Sequence, residues 1–373
     1  MAVYKIFPES DSFIFTEEVT GNAGLDEILE IGGYPVSGVG QTSRILTKFN
    51  NSEIQDAINN KVNGANFQAK LHLYLASAYE LPTSYSVNTY PLYNEYTNGV
   101  GKFADLPVDK TGVSWTYISN AALLTHWTLP SNTVEMPTGV TGSYNSTYVG
   151  GGSWYTGSNG VNLEATQTLN LNSAHDLDID ITNAVTLHYS GSIVNNGYIT
   201  KLSDDLEFST LSSIRLKYYG KDTNTIYPPS LDIKWDDSTY VTGSLSTLST
   251  DNATINITNN KGKYINSGKQ RFRISAKPKY PVRTFTTGSI YLTNYALPQG
   301  STWSMRDEYT DEMIIDFDSS YTKISCDSEG SYFDIHLDGV QPERYYKVLI
   351  KAELGGTNAV IDGNNVFKVV RNG

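Results

Sequence analysis

Cysteine is almost absent from this chain: Cys326 stands alone among 373 residues. No intrachain disulfide can form, so the fold must rest on its apolar cores. Positive charge is scarce as well, with 27 Lys and Arg against 39 Asp and Glu and a net charge of −12. No stripe of lysine and arginine interrupts that balance. Phosphate backbones would be repelled, so nucleic acid is not an expected partner. No apolar run approaches about 18 residues, the length a membrane-crossing helix needs, and no membrane partner is expected. The opening Met1-Ala2-Val3-Tyr4-Lys5-Ile6-Phe7-Pro8 has neither the basic nor the apolar stretch of a signal peptide, so export by a standard leader is not expected.

Catalytic signatures are missing too. There is no Gly-x-Ser-x-Gly elbow, no Gly-x-x-x-x-Gly-Lys loop, no His-Glu-x-x-His pair and no Cys-x-x-Cys. Cys326 sits among alternating strand residues and reads as a small core residue. Paired carboxylates for glycoside hydrolysis carry no signal among 39 acidic side chains. The expectation is a non-enzymatic chain without a cofactor.

What the chain does have is tyrosine, 27 residues of it, set among Ser, Thr, Asn and Gly. Aromatic and β-branched residues suit pleated, half-buried surfaces, and Gly and Asn suit tight turns. Period-two patterns recur: Leu71, Leu73 and Leu75; Leu177, Ile179 and Ile181; Ile214, Leu216 and Tyr218; Leu231, Ile233 and Trp235; Phe333, Ile335 and Leu337. Each set alternates with polar residues, which predicts sheets with one wet face. Asn196-Gly197, Asp338-Gly339 and Asp362-Gly363 mark turns. One short helix is predicted, with Ser52 as cap, Gln55 completing a capping box and Ile54, Ala57 and Ile58 on one face.

Two stretches break the periodicity. Residues 236–253 are rich in Asp, Ser and Thr, and set a boundary between a first domain over 1–240 and a second over 241–373, with Pro298 as a further break point. Residues 137–160 are Gly-rich and carry Tyr144, Tyr148, Trp154 and Tyr155. They read as a long loop or mobile hairpin whose aromatics tuck back onto the sandwich, anchor a partner subunit or stack on a sugar. In the second domain, Arg344, Tyr345 and Tyr346 mix charge with aromatic bodies in the manner of interface cores, as do Arg271 and Arg273 around Phe272. Ordinary strand alternation explains these equally well. Asp176, Asp178 and Asp180 would share one strand face, about 6.6 Å apart. A solvated outer face is the preferred reading of that ladder, with a bound Ca²⁺ as the alternative. Asn145-Ser146-Thr147 and Asn252-Ala253-Thr254 match glycosylation sequons, which a leaderless chain would not use.

The order of several short motifs resembles the DNRLRE-type module, a jelly-roll β sandwich of carbohydrate-binding and cell-surface proteins. They are Ser12-Phe13-Ile14-Phe15, Asn22-Ala23-Gly24, Ile28-Leu29-Glu30-Ile31-Gly32, Arg44 to Phe49, Leu71 to Leu75, Val113-Ser114-Trp115, Leu177 to Val185, Asn196-Gly197-Tyr198 and Pro228-Pro229-Ser230-Leu231. The resemblance covers about residues 4–236. The whole chain is also similar to virion structural proteins of tailed phages, the T-even-like phages of marine bacteria above all. The carriers are Tyr4-Lys5-Ile6-Phe7-Pro8-Glu9, Gly24 to Glu30 and Gln341-Pro342-Glu343-Arg344-Tyr345-Tyr346-Lys347-Val348. These resemblances imply an all-β chain of two tandem β sandwiches, the first jelly-roll-like and the second Ig-like. They imply a multi-copy virion component that contacts other virion proteins in the neck or collar, tail or head fibre, with glycan as the alternative ligand.

Overall fold

The period-two patterns fold as strands, and the chain is nearly all β with a few short helices. The computed structural model describes residues 2–36, 39–120, 124–128, 148–207, 213–281 and 293–371. Ile214, Leu216 and Tyr218 are fully buried on the strand Ile214–Tyr219, while Arg215 and Lys217 between them are half-exposed. Leu71, Leu73, Leu177 and Ile179 are buried in the same alternating way. On Gly330–His336, however, the intervening Asp334 and His336 are buried along with Phe333 and Ile335, so that strand does not have the wet face its period predicts.

The chain divides into two compact units: the first takes Ile6–Ile58 and Gln68–Asp232, the second Met1–Lys5, Asn59–Phe67 and Ile233–Gly373. The sequence set its boundary between the two domains after residue 240. This division instead falls between Asp232 and Ile233, and it gives two N-terminal pieces to the second unit. The polar stretch 236–253 is tied into that unit. Tyr240 bridges to Cys326, its hydroxyl donates to the Leu297 carbonyl at 2.6 Å, and Leu248 is buried.

In the first unit an eight-stranded antiparallel sheet runs in the order Ala165–Asn170, Ser84–Pro91, Tyr198–Leu202, Val39–Phe49, Ile28–Val36, Ile214–Tyr219 and Leu75–Tyr79, with Pro8–Phe15 also paired to Val39–Phe49. One cluster of buried residues combines Ile14, Leu46, Tyr90 and Ile199 from these strands with Val113, Trp115, Trp127 and Trp154 from connecting segments.

The second unit is a sandwich. One sheet joins Ala253–Ile257, Lys269–Pro278, Gly330–His336 and Ser325–Asp327; the other joins Lys263–Ile265, Thr357–Val370, Arg344–Leu354, Thr302–Asp307 and Met313–Ile315. Phe272 and Phe333 of the first sheet meet Phe367 and Trp303 of the second at ring separations of 5.4 and 5.0 Å. Such ring pairs add to the large apolar area each aromatic buries. The unit does not divide at Pro298, because Trp303 and Met305 beyond it enter this same core.

Three sequence expectations change. The predicted helix is Asn51–Asp56, capped not by Ser52 but by Asn50, whose side chain accepts the Ser52 and Glu53 N–H groups; a π-helical turn, Ala57–Val62, follows. Asn50 wins because its carboxamide sits one residue before the first turn, where those N–H groups lack other partners. Ile54, Ala57 and Ile58 are buried, as the shared face requires. The strand expected over 177–185 stops at Asp180, and Thr182–Tyr189 is a helix burying Ala184, Val185 and His188. Asp180 turns the chain by accepting both the Thr182 N–H at 3.0 Å and its hydroxyl at 2.6 Å. A third α-helix, Asp204–Glu207, was not signalled by periodicity because it is only four residues long.

Burial in the second unit makes its stability acid-sensitive. His336 packs against Tyr4 and Trp235 at ring separations of 6.1 and 5.4 Å, and desolvation pushes its imidazole down to about 4. The unfolded state therefore binds the extra proton between about pH 6.5 and pH 4, and stability falls as pH drops through that window. Urea unfolding of this unit is expected to lose about 3 kcal/mol across the window. The His336→Phe variant, with no imidazole to charge, should keep most of that stability.

Candidate interaction surface

Strand alternation sorts the sequence-predicted residues of the second unit onto opposite faces. On Arg344–Leu354, Tyr346 points inward: it is 1% exposed and its hydroxyl donates to the Gln341 carbonyl at 2.7 Å. As an interaction residue it is corrected to a core residue. Tyr345 points outward and is 38% exposed. Arg344, half-buried, lies 3.9 Å from the Asp307 carboxylate.

Tyr345 does not stand alone. Tyr309, 79% exposed, meets its ring edge-on at 5.6 Å. The Lys368 ammonium lies 5.6 Å from the Tyr345 ring centre and pairs with Glu343 at 2.7 Å, which holds the Glu343 carboxyl below its usual range. Tyr309 is presented by the turn between Thr302–Asp307 and Met313–Ile315. The buried Asp307 carboxylate accepts the N–H groups of Tyr309 and Thr310, both at 3.0 Å, and the Glu308 N–H reaches the Tyr345 carbonyl at 2.9 Å. Alongside, Lys347 lies 3.6–3.8 Å from Glu308, Asp311 and Asp362, and Arg306 pairs with Asp311 at 2.9 Å. The result is an exposed two-tyrosine ridge bordered by paired charges, fixed to a sheet whose other face is core. An amphipathic ring pair held in one geometry suits recognition, since little conformational freedom is lost on binding. Periodicity could find Tyr345. Tyr309 was missed, because only the Asp307 clamp brings it beside that strand.

The other sheet of the unit carries Arg271 and Arg273 over Tyr332, at 3.9 and 5.1 Å from its ring centre. Asp334 and Asp327 neutralise them at 2.9 and 2.6 Å, while Phe272 and Ile274 fill the core. That is plain strand alternation.

The Gly-rich segment of the first unit is anchored where it is described. Tyr144 lies outside the described residues. Tyr148 opens the short strand Tyr148–Val149, which pairs with Thr128 and Trp127. Trp154, expected as a binding aromatic, is 2% exposed and is corrected to a core residue. It stacks on Tyr90 at 5.6 Å and lies 5.2 Å from the Arg44 guanidinium. Arg44, fully buried, grips Glu207 through Nε at 2.6 Å and Nη2 at 2.9 Å, and donates to the Gly151 carbonyl at 2.5 Å. Lys201 reaches the other side of Glu207 at 3.0 Å and also pairs with Asp204. Gly151 has φ +82°, and a Cβ there would stand 2.7 Å from Arg44 Nη1 and from the Trp115 ring, so only glycine lets the loop approach. Tyr155 is half-buried and meets Tyr93 edge-on at 5.3 Å.

The aspartate ladder does not gather. Asp176 accepts the Leu75 N–H at 2.7 Å, Asp178 pairs with Lys70 at 2.6 Å, and Asp180 serves Thr182 and Gln68. Among the described residues no three His, Cys, Asp or Glu side chains group to hold a metal. Cys326 is buried, which raises its thiol above the ordinary range.

No family model matches the chain, and no curated protein matches it. Among solved structures, a DUF4785 family protein from Legionella pneumophila aligns over 97% of this chain and 66% of its own length, less than two thirds, at 9% identity and a TM-score of 0.18. A similarity that faint carries no functional argument, and no helix among the described residues is long and apolar enough to cross a membrane.

Proposed function

We propose that the chain is a structural, non-enzymatic component of a tailed-phage virion, acting in many copies through protein–protein contacts in the neck or collar, tail or head fibre. The observation that supports this most directly is the exposed Tyr309–Tyr345 pair on the outer face of the second unit. Its rings are held by the Asp307 clamp and the strand Arg344–Leu354, and the Gln341 to Val348 segment that resembles phage virion proteins runs through it. The partners are other virion proteins.

Mass spectrometry of purified particles should find the chain, and its absence from them would end the proposal. A Tyr309→Ala/Tyr345→Ala double variant should fold within about 0.5 kcal/mol of the parent, because both sites are exposed. Its incorporation into particles should nevertheless fall about tenfold or more. Unchanged incorporation would move the contact elsewhere.

A second reading, a glycan-binding module of a fibre or adhesin, draws on the first unit. There Tyr219 and Tyr227 stack at 5.3 Å, Tyr74 joins them at 5.2 Å from Tyr227, and Tyr219 and Tyr227 are only half-buried. Ring faces of this kind can stack on sugars. Glycan-array binding that disappears in Tyr227→Ala would favour this reading.

A further inference from the structure

Two buried carboxylates of the first unit, Glu207 and Glu30, are met by cations, and Asp11 is not. Glu207 is clamped by Arg44 and Lys201; Glu30, 4% exposed, takes Arg215 at 2.8 Å along with the Ser43 hydroxyl. Asp11, 1% exposed, has no ion pair of this kind among the described residues. Its Oδ2 accepts the Lys221 N–H at 2.6 Å, but its Oδ1 is buried without any hydrogen-bond partner. The Lys221 ammonium is engaged by the Glu9 carbonyl at 2.8 Å. A second carboxylate, Asp222, adds its charge to that of Asp11, and its Oδ2 is also buried and unpartnered. Register sets Thr47 directly opposite Asp11, and Thr47 Oγ1 is a third buried oxygen without a partner.

The backbone adds oxygens at the same place. A Cβ on Gly220 would stand 3.0 Å from the Asp26 carbonyl oxygen and 3.4 Å from both Asp11 Oδ2 and the Glu27 carbonyl oxygen. Asp11 Oδ2 and two main-chain carbonyls therefore line the space beside Gly220, the Glu27 carbonyl also accepting the Gly220 N–H at 2.8 Å, while the negative charge of Asp222 is offset at Asp11 only in part by Lys221. Unpaired charges of one sign in a dry site are costly, and the usual relief is a bound ion or a proton. Burial first, and the Asp222 charge after it, lift the Asp11 carboxyl to about 7 when no ion is present.

We propose that Asp11 and Asp222 hold a divalent cation, and that the main-chain oxygens of Asp26 and Glu27 and water complete its shell. The donor set is all oxygen, which selects a hard cation. Calcium accepts about 6–8 such ligands in flexible geometry, whereas magnesium demands a strict octahedron and keeps its own water. The calcium position thus moves from the ladder at Asp176, Asp178 and Asp180, where every carboxylate has a protein partner, to a pair 211 residues apart in sequence that periodicity could not join.

The test uses the full chain, stripped with EDTA and returned to near-neutral pH, titrated with CaCl₂ in a calorimeter and melted with and without it. Binding heat is expected, with a Tm rise of about 5 °C or more once calcium exceeds its Kd about 100-fold. Both should vanish in Asp222→Asn, and MgCl₂ should shift Tm less. The response should weaken near about pH 6, as protons compete for Asp11. Asp11→Asn serves as a second variant: in EDTA it should melt no lower than the parent, because an uncompensated charge is gone, yet it should ignore calcium. A parent without any calcium response overturns the proposal, as does an undiminished response in Asp222→Asn. If the parent instead gains stability from about pH 8 to about pH 6 and ignores calcium, a proton shared by the two carboxylates replaces the metal and the proposal falls.

Discussion

Replacing Glu207 with alanine is expected to cost the first unit about 3–5 kcal/mol, the loss typical of breaking a buried ion pair from one side. Arg44 and Lys201 are each at most 1% exposed at the side chain, and both lean on this carboxylate. Without it Arg44 keeps no carboxylate among the described residues in a site walled by Trp115 and Trp154, and Lys201 keeps only the partly exposed Asp204. The ring faces retain some attraction for Arg44 at 4.9 and 5.2 Å, but cation–π contacts recover only about 1–2 kcal/mol. The check is the urea midpoint of the first unit. A loss under about 1 kcal/mol would mean that the cluster is wetter than its burial implies. Replacing Arg44, Lys201 and Glu207 together with apolar residues of similar volume should recover much of the loss, because the cost lies in stranding charges and not in lacking the pair.

Trp154→Ala is the second large effect, with an expected loss of about 3–5 kcal/mol. The indole is 2% exposed and wedged between Tyr90 and Arg44, so its removal leaves a cavity lined by groups with no means to collapse. Gly151→Ala should weaken the same place through the glycine's φ of +82° and its 2.7 Å approach to Arg44. The consequence for function is direct. Loss of glycan or subunit binding in Trp154→Ala would report unfolding of the loop and its core, so binding tests belong on Tyr155, Tyr227, Tyr309 and Tyr345 instead. Thermal melts of Trp154→Ala beside Tyr155→Ala separate the cases: the first should melt far below the parent, the second close to it.

Much of the second unit was legible in its sequence. Alternation along Lys269–Pro278, Gly330–His336 and Arg344–Leu354 assigns Phe272, Phe333 and Tyr346 to the core and Arg271, Tyr332 and Tyr345 to the outside, because successive side chains on a strand face opposite ways. The same rule was silent where no period exists. It could not say that the glycines of residues 150–152 press against Trp115, Arg44 and Ile199, nor that they draw Trp154 inward.

Composition and periodicity alone determined that the chain would be built from sheets and which apolar residues of their strands would be dry, but not that Asp232, Asp334 and His336 between them would be buried as well. Only the tertiary structure decided which loops would cover those sheets, which charges would be buried together and which tyrosines would stand exposed. Side-chain period is a local property of the backbone. The meeting of Arg44 with Glu207, of Tyr309 with Tyr345 and of Asp11 with Asp222 depends on how distant segments close on one another.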